Sequence, residues 1–155
     1  MNFQPIIISL SKVYFSGALL IWIGLMSFSQ QSTLVVISNT KGAPSGMNIS
    51  ELRSVLKGER QRWNDGTKVN IFLMKTTTDL GKSTCEKVYK MSTDKVKRFW
   101  LELTFGGRAS APTFCNSAEE LESLVSQHPG SIGIIDKSNG IKDTKVILID
   151  GKASF

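Results

Sequence analysis

Histidine and cysteine are nearly absent from this chain, which has one His, His128, and two Cys, Cys85 and Cys115, with no Cys-x-x-Cys pair. That scarcity argues against zinc ribbons and dithiol redox motifs, which need several ligands or thiols at short spacing. Gly-x-Ser-x-Gly, a Walker loop and His-Glu-x-x-His are missing as well, so hydrolase, nucleotide and zinc-protease chemistry lack their local signatures. His128 stands in a His-Pro-Gly stop, where a helix-terminus role is expected. The adjacent carboxylates Glu119, Glu120 and Glu122 fit a helix start better than acid/base work. The chain reads as non-enzymatic, with no cofactor.

Acidic residues are missing from the first 29 positions, where Lys12 is the sole charge and an apolar stretch extends from Val13 to Phe28. A weakly basic start, an apolar middle and small residues at the end, Ser27 and Ser29, are the layout of a secretory leader cleaved after Ser29. The alternative is an uncleaved anchor, because Ile6 to Ile8 could extend the span toward the roughly 20 residues a transmembrane helix needs. No Cys stands at the boundary for a lipoprotein anchor. The expected organisation is a leader or anchor over 1–29 and one domain over 30–155. Export would place Cys85 and Cys115 in an oxidising compartment, where they either pair as a disulfide or remain two separate thiols.

The formal net charge is +6, which favours either an anionic partner or simply a surface of solvated lysines. Lys95, Lys97 and Arg98 flank Phe99 and Trp100, a combination that can clamp single-stranded nucleic acid. On one amphipathic helix the aromatics belong to the core and the cations to solvent, so no nucleic-acid partner is expected.

Leu34 to Ser38 is a short apolar run, read as a buried strand, followed by a polar loop from Asn39 to Gly46. Asn48 and Glu51 form a capping box ahead of Leu52, Val55 and Leu56 on one helical face, and Gly58 supplies the stop. Trp63 with Asp65-Gly66 makes a turn before a strand over Lys68 to Met74. A polar connection, Thr76 to Gly81, leads to a helix near Lys82 to Met91, where Ser83 and Glu86 have capping-box spacing. Ser92 or Thr93 starts the helix of Val96, Phe99, Trp100 and Leu103, ended at Phe105-Gly106-Gly107-Arg108. Ala109 to Asn116 reads as a loop, Ser117 and Glu120 cap a further helix, and Ser131 to Asp136 and Lys145 to Asp150 are strand-like. Strands alternating with helices predict an α/β layer fold with a mixed or largely parallel sheet.

The series Leu-x-Gly ending a helix, Trp63, Asp65-Gly66, the Trp100 helix, Phe105-Gly106-Gly107-Arg108 and Pro129-Gly130-Ser131-Ile132-Gly133 resembles the second lobe of phosphate-type periplasmic substrate-binding proteins. The resemblance runs from roughly Leu34 to Asp136. It implies a single type II periplasmic-binding-protein lobe, a periplasmic location (or attachment to the inner membrane by the anchor), and an ABC phosphate transport system as associate. Such proteins grip an oxyanion between two lobes, so a second copy or another chain would supply the missing lobe.

In that family the donors on this lobe come from a strand-to-helix connection with an Arg and a Ser-Gly-Thr turn. The matching positions here are Lys75, Thr76, Thr77, Thr78, Ser83 and Thr84, with Lys82 or Arg108 as further cations. Lys at 75 brings a point charge without the bidentate fork of Arg, and the Ser-Gly-Thr triplet is not intact. The implied function is binding of phosphate or another small oxyanion. The competing expectation is an accessory or protein-interaction domain that keeps the scaffold without a ligand site.

Overall fold

Asn48 satisfies both halves of its capping box: its side chain takes the Glu51 N–H at 2.8 Å, and the Glu51 carboxylate takes the Asn48 N–H at 2.9 Å. The helix that follows, α1 (Ile49–Leu56), buries Leu52, Val55 and Leu56. In the computed structural model, residues 33–155 are described; the expected leader over 1–29 lies outside the described residues.

Six strands, β1 (Leu34–Ser38), β2 (Gly46–Met47), β3 (Asn70–Met74), β4 (Thr113–Cys115), β5 (Ser131–Asp136) and β6 (Lys145–Ile149), form one mixed sheet in the order β2-β6-β1-β5-β3-β4. β1 is antiparallel to both of its neighbours, whereas the β2–β6, β3–β5 and β3–β4 pairs are parallel. Alternate side chains divide between two faces. Leu34, Val36, Ile132, Ile134 and Ile147 join the core beneath α1, Val88, Tyr89 and α3 (Thr93–Phe105). Val35, Ile37, Phe72 and Ile135 meet Leu121 and Val125 of α4 (Ala118–Gln127). All five β1 residues are buried because both faces are covered.

The α/β expectation is thus observed, with three local corrections. The segment read as a loop over Asn39 to Gly46 ends in the first residue of β2, and the one over Ala109 to Asn116 contains the parallel edge strand β4. The helix placed near Lys82 starts earlier, as α2 (Asp79–Thr84) capped by Thr78 rather than Ser83, and widens into a π-helical turn over Cys85–Tyr89. The Ser117 box is half formed: Ser117 Oγ accepts the Glu120 N–H, but the Glu120 carboxylate takes the Asn116 N–H instead.

Most residues that carry the family likeness turn out to hold the frame. Trp63 Nε1–H donates to the Gly130 carbonyl at 2.8 Å, and a Cβ on Gly58 would lie 2.9 Å from Ala109 Cβ and 3.2 Å from the Trp100 ring. Trp100 is buried, and its Nε1–H donates to the Tyr89 hydroxyl. It is therefore not a stacking platform for bases.

The two thiols are free and buried. Cys85 belongs to the core on the α1 and α3 face and Cys115 to the core under α4, so of the two alternatives left open the separate thiols are the one seen. Side chains on opposite sides of a sheet cannot bridge. Burial raises both thiols, Cys115 to about 11 with the Glu120 charge adding to it. Since the thiolate is the reacting form, iodoacetamide at pH 8 is expected to label neither Cys in the folded chain and both after denaturation.

Candidate functional site

The carboxyl ends of parallel strands are where α/β sheets place ligands, because chain leaving the sheet there turns into helix starts. In this sheet β3 and β4 end side by side, with Met74 opposite Cys115. β3 runs through Lys75 into α2, and β4 runs through Asn116 into α4. The two connections meet at one contact, Lys75 Nζ donating to Asn116 Oδ1 at 2.6 Å.

The turn after β3 is unusually tight. Thr78 N–H and Oγ1–H both donate to the Lys75 carbonyl, and Thr78 Oγ1 accepts the Gly81 N–H at 3.0 Å. A Cβ on Gly81 would fall 2.0 Å from the Lys75 oxygen, so only Gly lets the helix start this close to the strand end. Thr76 and Thr77 have no side-chain hydrogen-bond partner among the described residues, and Thr77 is exposed. The first amides of α2 have no intrahelical acceptor, as at any helix start.

The sequence-predicted residues divide accordingly. Lys75, Thr76, Thr77 and Thr78 share this connection, with Thr78 committed to the cap. Lys82 pairs with exposed Asp79 at 3.3 Å. Ser83 sits one turn further along and is half-buried. Thr84 is buried, and its hydroxyl donates to the Leu80 carbonyl at 2.8 Å, which removes it from any surface ligand. Arg108 lies at the other end of β3: its carbonyl accepts from Gln61 Nε2, and Gln61 in turn accepts the N–H of Val69, just before β3 begins.

Asn116 and Glu120 are neighbours of the site that sequence reasoning missed. Glu120 Oε2 takes the Asn116 N–H at 2.7 Å and its Nδ2 at 3.2 Å. These bonds from Asn116, ahead of the Lys75 charge, hold the Glu120 carboxyl below its ordinary range. A lowered folded value means that its contribution to this corner is present above the ordinary carboxylate pKa and fades as pH falls through the folded one. The only sequence signal was the Ser117-Glu120 spacing, which announces a helix start but not that it lands beside Lys75. Among the described residues no three His, Cys, Asp or Glu side chains gather as metal ligands would. No helix of the described residues is long and apolar enough to cross a membrane.

No family profile and no curated protein matches the sequence. Solved structures do resemble the fold. An ABC-type phosphate transport receptor from Vibrio cholerae superposes with a TM-score of 0.58 at 14% identity over 80% of this chain and 49% of its own. PstS from Borrelia burgdorferi gives 0.55 at 17% identity, over 78% of this chain and 48% of its own. The chain therefore spans about half the length of these structures. The likeness is one of fold, and the single-lobe architecture implied by the sequence resemblance is the one observed.

Proposed function

We propose that this lobe is a non-enzymatic binder of phosphate or a similar small oxyanion, taken at the connection from β3 to α2. The observation that carries the reading is the Gly81-dependent turn, a short connection that carries Lys75 and the Thr76 and Thr77 hydroxyls, which have no partner among the described residues, directly into the first amides of α2. Amides and hydroxyls converging next to a cation are what an oxyanion needs. The Glu120 carboxylate interacts with the Lys75 charge and Asp79 pairs with Lys82, so binding by one lobe is weak and a second copy or another chain completes the grip. A carboxylate nearby also favours phosphate over sulfate, because protonated phosphate has a hydrogen to donate and sulfate has none.

The domain over 30–155 would be exported by the 1–29 segment and would work beside an ABC phosphate transporter. The names of the structural neighbours and the apolar leader pattern support this placement.

Calorimetric titration of the protein with phosphate at low salt, with sulfate as control, tests the reading. Saturable phosphate heat is expected, with Lys75→Ala and Thr77→Ala each weakening it about three- to tenfold, the worth of one hydrogen bond. A flat titration overturns it. The carboxylates beside Lys75 and Lys82 then favour the second reading, an accessory domain with a protein partner, which predicts self-association or a stable complex.

A further inference from the structure

A second recess lies beside the end of β6, separated from the Lys75 connection by β1 and β5. It is a cleft of about 400 Å³ lined by Ile49, Arg53, Lys87, Lys90, Ile149, Asp150, Lys152 and Phe155. Cations dominate it: Arg53, Lys87, Lys90 and Lys152 share it with Asp150. Asp150 Oδ1 lies 3.4 Å from the Ile49 N–H at the start of α1, so this acid already has a structural partner.

Two features of the backbone concern this cleft in particular. Among the described residues only Lys90 and Asp150 are non-glycine residues with positive φ, at +56° and +49°, and both line it. Such positions are cheapest for Gly. Asp150 has its contact at the helix start to account for a side chain. The Lys90 side chain has no partner among the described residues, so the fold gives no reason for it. Lys90 is also the cap of the π-helical turn Cys85–Tyr89, an irregularity found often at functional sites. Arg53 is pre-oriented: its Nε–H donates to the Val88 carbonyl at 3.0 Å, which leaves the two terminal nitrogens of the guanidinium without a partner among the described residues. An oriented guanidinium fork beside ammonium groups suits a phosphate group. The partly buried Ile49 and Phe155 add apolar surface to the same cleft.

We propose that this cleft binds an amphiphilic phosphate monoester, with the phosphate on Arg53, Lys90 and Lys152 and the apolar portion on Ile49 and Phe155. The site is separate from the Lys75 connection and does not depend on it.

The test is calorimetry of the full chain with dihexanoyl phosphatidic acid below its micelle threshold, with inorganic phosphate titrated in parallel. The lipid is expected to bind saturably and about tenfold or more tighter than inorganic phosphate, because it adds buried apolar area. Lys90→Gly is expected to weaken it about tenfold, the worth of a charge-assisted hydrogen bond, at an equal or higher Tm, since Gly relieves the left-handed backbone. Lys75→Ala is expected to leave lipid binding unchanged, which separates this site from the first. The proposal is overturned if no saturable lipid binding occurs, if inorganic phosphate binds equally well, or if Lys90→Gly binds as the parent does.

Discussion

Gly81→Ala is expected to lose about 3 kcal/mol or more of stability, at the upper end of overpacking effects, which corresponds to a Tm lower by roughly 10 °C. The added Cβ would sit 2.0 Å from the Lys75 carbonyl oxygen, 2.7 Å from its carbon and 3.0 Å from the Met74 oxygen. All three are backbone atoms at the end of a buried strand, so no rotamer change makes room. Either α2 moves off the sheet, with loss of the Thr78 cap, or β3 shifts against β4 and β5. Gly107→Ala is the matched control. Gly107 has φ +63° with open space around it, so only the left-handed conformational cost applies, about 1 kcal/mol. Equal effects in thermal or urea unfolding would refute the steric account. The same substitution should abolish phosphate heat even where the variant remains folded, since the Thr76 and Thr77 donors are placed by this turn.

Trp63→Ala is expected to cost about 3–5 kcal/mol, as large aromatic truncations in a core do. Trp63 is 3% exposed. Its segment folds back as a turn, with Trp63 N–H donating to Thr67 O and Gly66 N–H to Trp63 O, and its indole N–H reaches across to Gly130 O. Gly130 is equally constrained, with φ +74° and a hypothetical Cβ 2.3 Å from Lys68 O. The ring thus pins the chain entering β3 against the chain entering β5. Trp63→Phe keeps much of the ring but removes the shorter of the two hydrogen bonds that the Gly130 carbonyl accepts, the other coming from the Asn70 N–H at 3.4 Å, with an expected loss of about 1 kcal/mol. Urea midpoints at unchanged m-value measure both substitutions. A Phe variant as unstable as the Ala variant would place the whole effect in the hydrogen bond.

The contrast between these two residues explains why the family likeness could be read while the site could not. Trp63, Gly58, Gly130 and Gly133, which carry the resemblance, each answer a steric demand of the fold. A Cβ on Gly133, for example, would meet Leu121 Cδ2 at 2.6 Å. Such demands are written one residue at a time. A site is a meeting of segments, and Lys75 with Asn116 joins positions 41 apart.

What the sequence determined by itself was the set of long, patterned elements. The apolar run Leu34 to Ile37 of β1, the Asn48 capping box, the buried face of α1 and the His128-Pro129-Gly130 stop all follow from local chemistry acting within a few residues. Tertiary structure decided what depends on neighbours. β4 is three residues long and exists because β3 pairs with it, and β2 exists because β6 does. Thr78 rather than Ser83 caps α2 because the tight turn at Gly81 brings the Lys75 carbonyl to it. Cys85 and Cys115 stay apart because one element packs above the sheet and the other belongs to it, facing the far side. Strand pairing, face assignment and convergence of loops are gained only when distant segments meet, and their free energy has no local sequence signature.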